Sequence, residues 1–114
     1  MQATQQAKFN RRLAKILTRA DLVDDSTVKE ALEKAREGGS LTEALIEGGV
    51  IDEGTVLTTL ARETGLPPID VGKVEYTEDL LELVPENLAR YYCVIPVARV
   101  GQSLSLAAAD PYDI

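Results

Sequence analysis

The chain has 114 residues and contains no histidine and no tryptophan, one cysteine, one methionine and one phenylalanine. Without histidine there is no imidazole to ligate a metal, to activate a thiol or to complete a Ser-His-Asp set. The single Cys93 has no partner for an internal disulfide, which fits a reduced cytosolic compartment, and its neighbours Val94, Ile95, Pro96 and Val97 predict a buried, inert thiol. No GxxxxGK[ST] loop is present, so phosphoryl-transfer chemistry lacks its phosphate cradle. No apolar run approaches the roughly 18 residues of a membrane span, and the opening MQATQQ lacks the apolar stretch of a signal peptide.

What is present is an acidic, moderately apolar chain, 45% hydrophobic with a net charge of -7. That composition supports one modest domain or two very small ones. It also excludes a nucleic-acid surface that works by neutralising phosphates along a duplex. The charge is unevenly placed. Residues 1–19 hold Lys8, Arg11, Arg12, Lys15 and Arg19 with no carboxylate, whereas residues 67–114 hold eight acids against Lys73, Arg90 and Arg99. A basic head on an acidic body predicts an oriented contact with an anionic group or partner; the alternative is an ordinary solvated helix face.

The first two thirds contain an internal repeat. Leu13, Leu17, Leu22, Val23, Asp24, Asp25, Val28 and Leu32 return 28 residues later as Leu41, Leu45, Val50, Ile51, Asp52, Glu53, Val56 and Leu60. Each copy reads as a helix, a turn with an apolar pair and two acids, and a second helix. Residues 1–10 show no strong periodicity and are expected to be a flexible lead-in, with a repeated helical subdomain over 11–66. Its helices start at caps Asp24 or Asp25, Ser40 and Asp52, and stop at Gly38-Gly39, Gly48-Gly49 and Gly65 before Pro67-Pro68. The predicted core is Leu13, Ile16, Leu17, Leu22, Val28, Leu32, Leu41, Leu45, Val50, Val56, Leu57 and Leu60. The acid pairs at the repeated turns read as caps rather than general acids, because carboxylates there meet unpaired amides and the positive end of a helix dipole.

Residues 67–114 change pattern and predict a small α+β subdomain. Ile69 to Val71 read as a short strand or extended tie, Thr77 to Val84 as a helix, and Pro85 as the start of a further short helix through Leu88. Tyr92 to Val100 and Ser103 to Ala108 read as strands of an antiparallel hairpin turning at Gly101-Gln102. A two-stranded hairpin is marginal alone, so this part is expected to be truncated, and the chain to be a segment of a longer protein. The fold class is therefore α+β, with a four-helix unit of two helix-turn-helix repeats followed by the small unit with its hairpin.

The doubled repeat, with "GLPPIDV" and the tail "LLELVPENLARYYCVIPVARVGQSLSLAAADPYDI", resembles the N-terminal domain of type II secretion and type IV pilus assembly ATPases over about residues 11–114. The most specific parts are the repeat itself and the ordered string Val84-Pro85, Ala89-Arg90, Ile95-Pro96 and Asp110-Pro111. The resemblance implies a non-catalytic interaction domain that couples a motor to the cytoplasmic domain of an inner-membrane platform protein. ATP and Mg would belong to the parent's own C-terminal ATPase domain, and the parent would be hexameric, cytoplasmic and peripheral to the inner membrane through its partners. Arg11, Arg12, Lys15 and Arg19 are the candidate partner-binding residues. A helical adaptor in another regulatory protein is a further alternative.

Some domains of that family bind cyclic di-GMP through two repeats that carry arginine, glycine and glutamine on a leucine framework. The resemblance would place Arg12, Leu13, Leu17, Leu41 and Leu45 in such a site. Ala14 and Ala35 stand where the first repeat would have glycine and glutamine. Ser40, Thr42 and Glu63 stand where the second would have arginine, glycine and glutamine. Glu63 would meet a doubly anionic ligand with negative charge, and each lost charge-assisted arginine contact removes roughly 1.5–3 kcal/mol, so tight binding is disfavoured.

Overall fold

The structure, a computed structural model, describes residues 3–112. Among these described residues there are six α-helices and one two-stranded antiparallel hairpin, an α+β arrangement, and the chain divides into two units between Pro68 and Ile69.

The first unit holds α1 (Ala3–Arg19), α2 (Asp25–Lys34), α3 (Leu41–Glu47) and α4 (Glu53–Thr64). The flexible lead-in expected over 1–10 does not hold for residues 3–10, which are helical; residues 1 and 2 lie outside the described residues. Phe9 extends the apolar stripe of Leu13, Ile16 and Leu17 by one turn and is buried. Asn10 is buried beside it and ties the helix to the loop before α3. Its amide nitrogen donates to the Gly39 carbonyl at 2.8 Å, while its Oδ1 accepts from the Leu41 amide at 3.1 Å and from Gln6 at 2.8 Å.

The repeat is realised as the same turn made twice. After α1 the Leu22 amide donates to the Leu17 carbonyl at 3.1 Å; after α3 the Val50 amide donates to the Leu45 carbonyl at 3.0 Å. Each six-residue closure passes through a left-handed residue, Asp21 at φ 57° and Gly49 at φ 70°. The turn sends the first member of each apolar pair outward. Leu22 and Val50 are 40% and 41% exposed, correcting their assignment to the core, whereas Val23 is buried and Ile51 packs against the core. Leu57 is also exposed, at 43%, because α4 turns Val56, Thr59 and Leu60 inward. Thr59 tolerates burial because its hydroxyl donates to the Thr55 carbonyl at 2.7 Å. At the centre, Leu13, Leu17, Leu41 and Leu45 are completely enclosed, two from each copy of the repeat.

The second unit holds α5 (Glu78–Leu81), α6 (Glu86–Tyr92), β1 (Val94–Val100) and β2 (Ser103–Ala108). Ile69 to Val71 form no strand. Asp70 instead accepts from the Gly72 amide and caps a single 3-10 turn over Val71–Lys73. Thr77 caps α5 by accepting from the Leu80 amide at 3.1 Å. The helix opened by Pro85 continues past Leu88 to Tyr92 and ends at Cys93, whose φ of 53° breaks it, so β1 begins at Val94 rather than Tyr92. Cys93 is half-buried rather than buried. The hairpin pairs Val94 with Ala108 through Val100 with Ser103, turns at Gly101 with φ 61°, and carries an irregularity between Pro96 and Ala98.

Candidate functional site

The basic residues of the first helix form one line. Successive residues of a helix rotate by about 100°, so Lys8, Arg11, Arg12, Lys15 and Arg19 fall within an arc of about 100°. All five are exposed, and the opposite face carries Phe9, Leu13, Ile16 and Leu17 into the core. The sequence-predicted residues Arg11, Arg12, Lys15 and Arg19 are thus brought together, and Lys8 extends their line. Lys15 and Arg19 take part in no ion pair among the described residues; ion pairs form elsewhere, between Arg36 and Glu33 and between Arg90 and Glu86. Arg19 instead donates from Nε to the Lys15 carbonyl at 3.4 Å. Like charges four residues apart on a helix cost about 0.2–0.5 kcal/mol per pair, and three such pairs occur here, Lys8 with Arg12, Arg11 with Lys15 and Lys15 with Arg19.

The residues named for a cyclic dinucleotide lie differently. Leu13, Leu17, Leu41 and Leu45 are 0% exposed, so in this structure their surface is spent on packing one another and none is offered to a ligand. Arg12 lies at the surface of α1, and Ala14 is buried. A groove of about 390 Å³ does run past two of the polar motif positions, Ala35 and Ser40, and is also lined by Lys34, Glu43 and Glu47. Ser40 is engaged as the cap of α3, accepting from the Glu43 amide at 3.3 Å. Two carboxylates against one ammonium give the groove an acidic character. Glu63 is exposed on α4.

At each repeated turn the first acid of the pair acts as the cap, and the second, Asp25 or Glu53, is the first residue of the helix. Asp24 accepts from the Thr27 amide at 2.8 Å and Asp52 from the Thr55 amide at 2.7 Å. Hydrogen bonds from the Thr27 side chain, the Thr27 amide and Ser26 hold the Asp24 carboxyl below its ordinary 3.8; the Thr55 amide and then its hydroxyl do the same for Asp52. A carboxyl lowered in this way stays ionised at neutral pH and holds no proton to donate, which suits a structural role. Among the described residues no cluster of three or more metal-ligating side chains occurs, and no helix is long and apolar enough to cross a membrane. Lys8, which is not among the residues predicted for partner binding, and the buried Asn10 are the two additions the structure makes on α1. Lys8 was legible from its four-residue spacing to Arg12, but its place in a helix was not.

The MshEN domain profile matches residues 64–114. The type IV pilus assembly ATPase PilB of Myxococcus xanthus (strain DK1622) is 32% identical over 104 residues, covering 90% of this chain and 18% of that protein. PilB of Thermus thermophilus is 33% identical over 90 residues, covering 78% of this chain and 10% of that protein. The chain therefore spans less than a fifth of the length of these curated relatives. Among solved structures, MshE with cdg superposes with a TM-score of 0.68 at 30% identity, covering 89% of this chain and 73% of that one. The profile falls on the second unit, and the 104-residue match to PilB of Myxococcus xanthus extends over both. The chain belongs to the MshEN domain family, homologous to the N-terminal region of PilB-like pilus assembly ATPases.

Proposed function

We propose that this domain is an interaction module that couples a pilus or secretion motor to the cytoplasmic domain of an inner-membrane platform protein, docking through the basic face of α1. The observation that carries the reading is that face: Arg11, Arg12, Lys15 and Arg19 in one line on a helix without a single carboxylate, in a chain of net charge -7. Family membership supplies the motor, which with its ATP and Mg would belong to another part of the parent protein, a hexamer at the cytoplasmic side of the inner membrane. The domain would reach the membrane through its partners. Replacing Arg12 and Arg19 by glutamate is expected to weaken binding to the platform protein's cytoplasmic domain by about tenfold, as two favourable surface pairs become repulsive. Unchanged affinity in a calorimetric titration would reject this docking face.

A second reading, regulation by cyclic di-GMP, is favoured by the similarity to MshE with cdg. In this chain Arg12 remains at its motif position, while Ala14, Ala35, Ser40, Thr42 and Glu63 occupy the other motif positions and the adjoining groove is acidic. Each lost charge-assisted contact weakens binding by roughly tenfold or more. The expected result of titrating the domain with cyclic di-GMP is a dissociation constant weaker than micromolar. Micromolar or tighter binding would make the domain a sensor.

A further inference from the structure

We propose that the surface which seats on α1 is itself a helix, a protein segment carrying carboxylates at successive spacings of three and four residues; the inference rests on the docking reading above and names the chemistry of its partner. Lys8, Arg11, Lys15 and Arg19 are spaced by three, four and four residues. On a helix these positions lie within an arc of about 80° and along about 16 Å of axis. A partner helix with acids at the same spacing presents a line of equal pitch and length, so that four charges can be met at once without unwinding either element.

Two features of the fold favour a protein segment over an anionic lipid surface. The apolar face of α1 is already enclosed, with Leu13, Ile16 and Leu17 at 2% exposure or less, so none of these side chains is left to enter a bilayer beside the charges. Stable membrane binding by a surface helix needs that second, apolar contribution. Moreover, residues 20–114 carry all nineteen carboxylates against seven lysines and arginines, and this body is repelled by the same lipid charge that would attract α1.

The stripe also works against the helix that carries it. Lys15 has a like charge four residues to either side, Arg11 and Arg19, where a glutamate would make two favourable pairs. Lys15→Glu is therefore expected to move stability and binding in opposite directions, which a merely structural role for Lys15 would not do.

The test uses the whole chain and three probes. Two are alanine-rich helical peptides of identical composition, one with four glutamates in a single line at matching spacing, the other with the same glutamates dispersed around the helix. The third is a vesicle of phosphatidylglycerol and phosphatidylcholine. The expected result is binding of the aligned peptide about tenfold tighter than the dispersed one. That binding should be weakened by salt and exceed any binding to vesicles. Lys15→Glu should raise the melting temperature by a few degrees while reducing aligned-peptide affinity about tenfold, and Lys15→Gln should fall between. Equal affinity for the two peptides, vesicle binding stronger than peptide binding, or unchanged peptide affinity in Lys15→Glu would each overturn the inference. The platform protein's cytoplasmic domain, titrated in parallel, separates the two proposals. If Lys15→Glu abolishes that binding while neither peptide binds, the docking face stands and the helical partner fails; if the aligned peptide binds and the platform domain does not, the helical partner stands and the platform reading fails.

Discussion

Asp24 and Asp52 each hold the first turn of a helix through one carboxylate oxygen, and that bond is strongest in the ionised form. Both groups titrate below 3.8 in the folded chain and near it when unfolded, so their contribution is complete above the unfolded value and is lost as pH falls through the folded one. Urea denaturation is accordingly expected to show stability declining as pH drops below 3.8, with a smaller decline in the Asp24→Asn, Asp52→Asn double variant. Alanine at either position removes the acceptor altogether and should lower the urea midpoint at neutral pH. These caps were legible because donor and acceptor lie three residues apart. Asn10 was not, because its Gly39 and Leu41 partners are 29 and 31 residues away and an amide on a polar helix looks like surface.

The turns after α1 and α3 show how the same backbone can be reached with different side chains. Asp21 and Gly49 occupy equivalent left-handed positions, but only Gly49 does so without a β-carbon. A β-carbon at Gly49 would meet nothing within 4 Å, so the cost of Gly49→Ala comes from φ alone and is expected to be about 1–2 kcal/mol. Asp21→Gly relieves strain but frees the unfolded chain, so its effect should stay within about 0.5 kcal/mol of the parent. Equal losses in the two variants, measured by chemical denaturation, would show that the turns are not equivalent. The end of α6 was less legible. Tyr91 and Tyr92 have strong strand preference, yet they complete a helix supported by the Glu86 to Arg90 pair, and only Cys93 reverses the chain into β1. The irregularity between Pro96 and Ala98 was likewise invisible, since the loss of one pairing leaves the length of the apolar run unchanged.

The core of the first unit joins the two copies of the repeat, and neither copy could enclose its leucines alone. Leu45→Ala, at a completely buried position, should therefore cost roughly 2–5 kcal/mol, read as a lowered denaturation midpoint; a near-zero shift would contradict this packing. The same enclosure bears on function. It leaves α1 one accessible charged face and removes Leu13, Leu17, Leu41 and Leu45 from any surface that a ligand could reach in this conformation. From the sequence alone came the doubled helix-turn-helix plan, the caps, the hairpin turn and the clustering of positive charge, because each depends on residues a few positions apart or on a repeat that can be counted. Tertiary structure alone decided that residues 3–10 extend α1, that Val23 and Ile51 turn inward in place of Leu22 and Val50, and that the leucine framework is sealed. Those outcomes depend on side chains about thirty residues apart meeting in one core, and no local pattern encodes which of two adjacent apolar residues will face it.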